Sequence, residues 1–244
     1  MADANEKLKT EFNQWAAEGR GEEMARHHLS IAEQTIARMR LKPGDRVLDL
    51  GCGAGWATRL LAQAVDGGTG MAVGLDISDE MIARARAASL NVENVLFSIG
   101  CAEEIPWRDE YFESALSIES FYYYPDQQAV LRELHRVLVP GGLLFILINL
   151  YRENPYSLGW VKQLRVPVHA RSEIEYREML LAQGFVDVEI AHIPDLTPTP
   201  DHSIGSNPDT TLANGFANTD ELREFKRIGA LLLVARRPKT EAAG

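Results

Sequence analysis

Hydrophobic positions along the chain form short buried runs that alternate with stretches of helical periodicity. Helices are predicted over residues 5–17, where Leu8, Phe12 and Trp15 have helical spacing, and over 22–39, with a break at Gly19 and Gly21. Buried strands are predicted at 46–50, 71–77, 95–100, 113–120 and 143–150. Helices are predicted at 57–65, 78–89 and 128–138, followed by a turn at 139–142. This alternation predicts a parallel sheet with helices on both of its faces.

The pattern changes in the last third of the chain. A helix over 173–183 is predicted to end at Gly184, and apolar runs at 185–193 and 228–237 predict two strands with no helix between them. Residues 194–224 are rich in Pro, Thr, Asn and Asp, and a loop that long is usually functional or disordered. We predict one domain over 1–244, with N-terminal helices that can act as a lid (1–40), a ligand-binding core (41–150) and a substrate-side remainder (151–244).

Composition and charge argue against several classes of protein. The 244 residues suit one compact domain, and the formal net charge of −10 argues against general nucleic-acid binding. Cys52 and Cys101 are the only cysteines, and no His/Cys cluster has metal-ligand spacing, so no disulfide framework and no metal site are expected. The first residues do not resemble a signal peptide, and the longest apolar run, 143–150, is too short to span a bilayer. A cytoplasmic protein without a membrane span is therefore predicted.

A glycine-rich turn follows the first strand and carries the main functional signal. Gly51, Gly53 and Gly55 permit positive φ and let backbone N–H groups approach a ligand that a Cβ would hold away. Asp76 ends the second strand, where its carboxylate can accept hydrogen bonds from both hydroxyls of a ribose. The glycine turn and Asp76 together predict an adenosine-containing ligand. The structural alternative is that the glycines only turn the chain and that Asp76 caps the next helix.

The residue after the turn discriminates between adenosine-containing cofactors. A dinucleotide-binding turn requires a third glycine where the helix meets the strand, in the pattern G-x-G-x-x-G. Here the pattern is G-x-G-x-G, and Trp56 occupies the position of that third glycine. NAD is therefore disfavoured.

The glycine turn belongs to the first of five motifs. They are VLDLGCGAG (47–55), GLDIS (74–78), GCAEEIPW (100–107), FESALSIESFYYYPD (112–126) and LRELHRVLVPGG (131–142). Over roughly residues 40–150 the chain resembles the class I S-adenosylmethionine (SAM)-dependent methyltransferases, in their small-molecule, methyltransferase type 11/UbiE-like branch. The resemblance implies an α/β, Rossmann-like, doubly wound sheet of seven strands, mostly parallel with an antiparallel C-terminal hairpin. Residues 194–224 would be an insertion in that hairpin.

The resemblance also implies roles for residues around the cofactor. Asp49 and the glycine turn would contact the amino-acid part of SAM, Asp76 the ribose, and Ile77 and Met81 the adenine. Cys101 stands where the family often has an acid, and a thiol is a weak acceptor, so Glu103 or a backbone group would substitute. The cofactor-binding residues implied are Asp49, Gly51, Cys52, Gly53, Gly55, Asp76, Ile77, Met81, Cys101, Ala102, Glu103 and Ile118.

Methyl transfer from a sulfonium is an in-line displacement, so the protein must hold the nucleophile, exclude water and remove a proton where the acceptor carries one. Related enzymes often place a histidine where this chain has Tyr122 and Tyr123. The catalytic candidates are Tyr122, Glu119 and His28. The candidates for contact with the acceptor are Tyr122, Tyr123, Tyr151, Tyr156 and Trp160. The sequence thus predicts a SAM-dependent methyltransferase acting on a small molecule, with S-adenosylhomocysteine (SAH) as product. A non-catalytic SAM-binding regulator and a NAD-dependent oxidoreductase are the alternatives.

Overall fold

A computed structural model of the chain describes residues 2–199, 216 and 218–240. The strands are β1 (Arg46–Leu50), β2 (Met71–Asp76), β3 (Val95–Ile99), β4 (Phe112–Ile118), β5 (Leu138–Ile148), β6 (Val186–Ile193) and β7 (Ala230–Arg236). The helices are α1 (Ala2–Ala17), α2 (Arg20–Met39), α3 (Trp56–Ala64), α4 (Asp79–Ala87), α5 (Gln127–Val137), α6 (Glu173–Ala182) and α7 (Thr219–Ile228), and short 3₁₀ helices lie at Phe121–Tyr123 and Ser157–Gln163.

All seven strands form one sheet in the order β3-β2-β1-β4-β5-β7-β6. Strands β1 to β5 pair in parallel, whereas β7 pairs antiparallel with both β5 and β6. The predicted Rossmann-like fold with an antiparallel C-terminal hairpin is confirmed. The order of the strands reverses between β1 and β4, and open α/β sheets bind ligands in the crevice at such a point.

Strand β1 is buried on both faces because helices cover both sides of the sheet. Leu48 and Leu50 face one hydrophobic cluster, and Val47 faces the other. This arrangement explains why β1 is an almost uninterrupted apolar run instead of an alternating one. Because β2 and β4 pair with β1 in parallel, the carboxyl ends of these three strands lie together at one end of the sheet.

The N-terminal helices pack across the end of the sheet where β1, β2 and β4 terminate. The Asn13 side chain of α1 accepts a hydrogen bond from Ser78 Oγ (2.6 Å) and donates one to Asp79 (2.8 Å) at the start of α4. Gly19, with φ of 75°, separates α1 from α2 as predicted. Gly21, predicted to break the helix, instead lies inside the first turn of α2. A Cβ on Gly21 would lie 3.0 Å from the Cβ of Ala54, so its absence lets α2 approach the glycine turn.

The prediction of no helix between the last two strands is wrong, because α7 begins inside the segment expected to be a loop. Asn218 caps α7 by accepting from the backbone N–H of Glu221 (2.9 Å), and Gly229 ends it with φ of 82°. Acidic residues in the first turn and basic residues in the last turn match the helix dipole. The remainder of the predicted loop, residues 200–215 and 217, lies outside the described residues.

A smaller difference concerns the start of β5. Residues 139–142, expected to form a turn, are part of β5; Gly141 has φ of 83°, and the pairing of β4 with β5 shifts register between Phe112 and Ser114.

Within the described part of the chain, none of the helices has the length and apolar character needed to cross a membrane.

Candidate active site

A cavity of about 670 Å³ opens at the carboxyl ends of β1, β2 and β4. Leu50, Asp76 and Ile118, the last residues of those strands, line its floor. Helix α1, the first half of α2 and parts of α7 form its other walls. The cavity therefore lies at the position where the sheet order reverses.

The glycine turn has three left-handed residues with different tasks. Gly51, Gly53 and Gly55 have φ of 76°, 52° and 73°. A Cβ on Gly51 would lie 2.5 Å from the Cβ of Ser120, and one on Gly55 would lie 2.6 Å from the Phe97 ring. A Cβ on Gly53 would meet no protein atom within 4 Å, and Gly53 lines the cavity. Gly51 and Gly55 thus permit close packing, while Gly53 keeps the cavity open to a ligand.

Asp76 holds the turn and faces the cavity. Its two oxygens accept hydrogen bonds from the backbone N–H of Gly53 (2.8 Å) and of Ser78 (2.9 Å). Burial raises the pKa of the carboxyl, and these backbone donors act against that rise. The cap of α4 is Ser78, whose Oγ accepts from the N–H of Met81 (3.0 Å). The interpretation of Asp76 as a mere helix cap is therefore not supported.

Most of the predicted cofactor residues line the cavity, and three do not: Asp49, Gly55 and Cys101. Asp49 is buried behind the turn, where it accepts a 2.6 Å hydrogen bond from Thr58 Oγ1 of α3, and burial raises its pKa to about 7. Cys101 faces a small neighbouring pocket, with its sulfur 3.7 Å from Asn5 Nδ2. The residues that do line the cavity are Gly51, Cys52, Gly53, Asp76, Ile77, Met81, Ala102, Glu103 and Ile118.

The three catalytic candidates are brought together at one end of the cavity. Glu119, directly after β4, has φ of 52°, a left-handed conformation that it shares with Arg40, Glu110 and Asp187. One carboxylate oxygen accepts from the N–H of Asn149 (2.5 Å), and the other accepts from the hydroxyl of Tyr122 (3.0 Å). Nε2 of His28, on α2, lies 3.9 Å from the latter oxygen.

Burial sets the protonation states of this cluster. It raises the pKa of Glu119 to about 7 and lowers the pKa of His28 to about 4, and the neighbouring His27 lowers the latter further. Burial and the Glu119 carboxyl raise the pKa of Tyr122 well above its usual value. Near neutral pH, His28 is uncharged, Tyr122 remains a hydrogen-bond donor, and Glu119 exchanges a proton most readily.

The acceptor-side candidates separate into two groups. Tyr122 and Tyr123 line the cavity, and Tyr123 packs edge-on against Phe12 of α1 with ring centroids 5.1 Å apart. Tyr151 does not line it, because its fully buried ring directs the hydroxyl to the carbonyl of Gly229 (3.0 Å). Tyr156 also lies outside the cavity lining, and the side chain of Trp160 is outside the described part of the structure.

Several lining residues were not identified from the sequence. The helical spacing of Leu8, Phe12 and Trp15 predicted a helix, but it could not show that this face covers a cavity. Lys226 of α7 donates to the carbonyl (3.0 Å) and hydroxyl (2.7 Å) of Thr197 and thereby ties α7 to the segment that follows β6. The unidentified lining residues include Asn5, Leu8, Phe12, Trp15, Arg20, Met24, Leu164, Phe216, Leu222, Phe225 and Lys226.

The fold and the acid-bearing glycine turn together define a class I SAM-dependent methyltransferase. The model of a family described as a methyltransferase domain matches residues 41–176, more than half of the chain, and the protein belongs to that family. It is thus a SAM-dependent methyltransferase, as the sequence predicted, and the NAD alternative is not supported. Among the described residues no group of three or more His, Cys, Asp or Glu side chains could hold a metal ion.

Individual relatives differ in how much of their length the chain matches. It is 36% identical over 117 residues to 27-O-demethylrifamycin SV methyltransferase of Amycolatopsis mediterranei, covering 47% of the chain and 42% of that protein. It is 31% identical over 193 residues to demethylmenaquinone methyltransferase of Geobacillus kaustophilus, covering 68% and 81%. Among solved structures, a methyltransferase chain in complex with the Haloferax volcanii Trm112 methyltransferase activator is 33% identical with a TM-score of 0.84, over 93% of this chain and 98% of that one.

Proposed function

We propose that this enzyme methylates an apolar small molecule that carries an ionisable hydroxyl group, and that Glu119 removes the proton. The observation that supports this most is the buried carboxylate of Glu119 at the end of the cavity, beside an uncharged His28 and the donor Tyr122. In this proposal residues 1–40 cover the cofactor, and residues 151–244 supply part of the acceptor side. The cytoplasmic location stays a prediction.

The residues of the cavity fit SAM. Gly53 leaves open space where a Cβ would project, and the Asp76 carboxylate beside it can accept from ribose hydroxyls in addition to its two backbone donors. SAM supplies a methyl group on a sulfonium and leaves as SAH. The protein's own contribution is to exclude water around the reacting atoms with the rings of Phe12, Trp15 and Tyr123.

The proton of the acceptor hydroxyl is expected to pass to Glu119 as the methyl group bonds to the acceptor oxygen. The N–H of Asn149 and the hydroxyl of Tyr122 hold the carboxylate in one orientation, and a carboxylate with a pKa of about 7 is well matched to neutral pH. Tyr122 is expected to position this base, since its own raised pKa keeps it protonated.

The walls beyond Glu119 support an apolar acceptor. Asp195, which follows β6, and Leu222 and Phe225 of α7 line the same cavity as His28 and Glu119. The names of two relatives, for 27-O-demethylrifamycin SV and demethylmenaquinone, also support a small-molecule acceptor. The apolar side chains on these walls are Met24, Ile31, Leu164, Phe216, Leu222 and Phe225.

A product screen tests the acceptor class. SAH release would be measured with phenols, quinols, aliphatic alcohols and amines, at matched concentrations and with purified enzyme. We expect turnover with apolar phenols or quinols and none with hydrophilic amines. Tight SAH binding without turnover of any class would instead favour the regulatory alternative, and a preference for amines would contradict the assignment of the hydroxyl.

We also propose that the enzyme binds a small activator protein of the Trm112 type through the free edge of β3. The structure of the Haloferax volcanii complex supports this class of partner. The two edges of the sheet differ: Leu96 and Ile99 of β3 are exposed apolar residues, and Leu90 just before β3 is 84% exposed. On β6, Val186 is also exposed, but Asp187 pairs with Arg236 and His192 with Glu173. An unpaired edge with exposed apolar side chains is a surface suited to strand or sheet association.

Leu96→Asp is expected to abolish co-purification with a Trm112-type protein from the same organism, because it puts a charge into the apolar contact. Leu181→Asp, at an exposed leucine of α6, is the matched control and should retain the partner. Retention by both variants, or loss by both, would contradict an interface at β3.

A further inference from the structure

Glu119 and His28 face each other across a gap that neither side chain closes. Nε2 of His28 lies 3.9 Å from a carboxylate oxygen of Glu119, which is too long for a hydrogen bond between them. Both residues line the cavity, and only 12% of the His28 side chain and 8% of the Glu119 side chain are exposed. Two polar atoms held apart in this way can each bind a polar group of one and the same ligand.

The surroundings of His28 determine what its Nε2 atom offers to a ligand. Burial lowers the pKa of His28 to about 4, so the imidazole is neutral near pH 7 and carries one N–H group. The backbone of Met24, one turn earlier in α2, hydrogen-bonds the ring and acts to raise this pKa, as a carbonyl that accepts the ring proton does. Because Nε2 faces Glu119, the bond to Met24 is assigned to Nδ1, and Nε2 is left as an acceptor.

The gap is therefore bounded by two acceptors. The Glu119 oxygen that faces His28 accepts from the hydroxyl of Tyr122 (3.0 Å), and a carboxylate oxygen can accept a second hydrogen bond. A ligand with a single hydroxyl has one hydrogen to donate. If that hydrogen is donated to Glu119, Nε2 of His28 stays buried without a donor, which is unfavourable.

We infer that the acceptor carries a hydrogen-bond donor on the ring carbon next to the reacting hydroxyl, and that His28 selects such acceptors through Nε2. The inference rests on the function proposed above, in which the reacting hydroxyl faces Glu119. Hydroxyls on adjacent ring carbons have oxygens about 2.7–2.8 Å apart, one hydrogen-bond length, so each can reach one of two acceptors that are 3.9 Å apart. Catechols are the simplest acceptors of this kind.

The two hydroxyls of such an acceptor have different fates. The hydroxyl that faces Glu119 gives its proton to the carboxylate and bonds to the methyl carbon, while the electrons of the methyl–sulfur bond stay with the sulfur. The second hydroxyl keeps its proton and its hydrogen bond to His28. Once methylated, the product can no longer place one hydroxyl at each residue. We therefore expect a mono-ether as the product and no second methylation.

Three matched acceptors test the inference: a 4-alkyl catechol, the corresponding phenol and the corresponding 2-methoxyphenol. Their binding to the SAH-loaded enzyme would be measured by calorimetry, and their turnover with SAM in parallel. We expect the catechol to bind about 10- to 100-fold more tightly than the other two, the effect of leaving a buried acceptor unpaired. His28→Leu should abolish this preference and retain binding of the phenol. His28→Gln, whose amide oxygen can accept, should retain part of the preference.

His27→Leu is the matched control, because it makes the same substitution at the neighbouring histidine, which lines the cavity but is exposed. It should keep the preference for the catechol, and SAH affinity and thermal unfolding would show that each variant folds. Equal binding of the three acceptors to the wild type, or an unchanged preference in His28→Leu, would overturn the inference. A preference in binding without any methyl transfer would support the role of His28 and contradict Glu119 as the base.

Discussion

Glu119→Gln is expected to lower kcat for methyl transfer by about 10²- to 10⁴-fold, the usual contribution of a general base, while SAH binding is retained. Glutamine has the shape of the protonated acid and can still accept from the N–H of Asn149, but it cannot take a proton from the acceptor. Calorimetric titration with SAH and single-turnover rates with SAM would separate binding from chemistry.

The pH dependence gives the same base an independent signature. Burial raises the pKa of Glu119 to about 7, and its active form is the carboxylate, so kcat/KM should rise with pH through about 7 and level off above it. His28, with its pKa lowered to about 4, stays uncharged over that range and contributes no second limb. Asp49 also has a pKa raised to about 7, but it does not face the cavity. In Glu119→Gln the residual rate should therefore lose this dependence.

Two further variants of the catalytic cluster serve as controls. Glu119→Asp keeps a carboxylate and should retain more activity than Glu119→Gln. Tyr122→Phe removes the donor that orients the base and should lower kcat less than loss of the base itself. Full activity of Glu119→Gln, with an unchanged pH profile, would exclude Glu119 as the base.

Gly53→Ala is expected to weaken SAM binding by about 10- to 100-fold, as overpacking of a close contact does, while the protein still folds. The added methyl group meets no protein atom within 4 Å and projects where the cofactor would lie. The left-handed φ of 52° adds a backbone cost of about 1–2 kcal/mol for alanine. Thermal unfolding and SAH titration of the same preparation would measure both effects.

Gly68→Ala is a closely matched control for that variant. Gly68 has φ of 62°, also has no atom within 4 Å of a built Cβ, and lies in the exposed turn between α3 and β2, away from the cavity. Both variants should lose similar stability, and only Gly53→Ala should lose cofactor. Equal SAH affinity in the two variants would place the cofactor elsewhere.

The central part of the fold and the geometry of the glycine turn were predictable because local sequence determines them. Strand β1 is apolar throughout since it is buried on both faces, and the turn after it requires the positive φ observed at Gly51, Gly53 and Gly55. Asp76 follows from its place at the end of the neighbouring parallel strand. These features depend on residues close in sequence and on the regular geometry of a parallel sheet.

The acceptor side was less predictable because it depends on tertiary packing between distant segments. Tyr151 is a residue type common in pocket walls, yet its hydroxyl donates to the carbonyl of Gly229, 78 positions away in the chain. Helix α7 lies in a segment whose polar composition suggested a loop. The Asn218 cap and the charged residues at the two ends of the helix favour a helix, but the polar composition obscured them. The position of Arg20 depends on the approach of Gly21 to Ala54, which periodicity does not reveal.

A crystal structure of the enzyme with SAH and a bound acceptor analogue would show directly whether Glu119 faces the reacting atoms. We expect the sulfur of SAH to face Glu119, with the ribose on Asp76. With a methyl group placed on the sulfur, as in SAM, the reacting atom of the analogue should lie about 3–3.5 Å from the methyl carbon. The same atom should be within hydrogen-bond reach of the Glu119 carboxylate. A sulfur turned away from Glu119, or an acceptor bound outside the cavity, would rule out this arrangement of donor, acceptor and base.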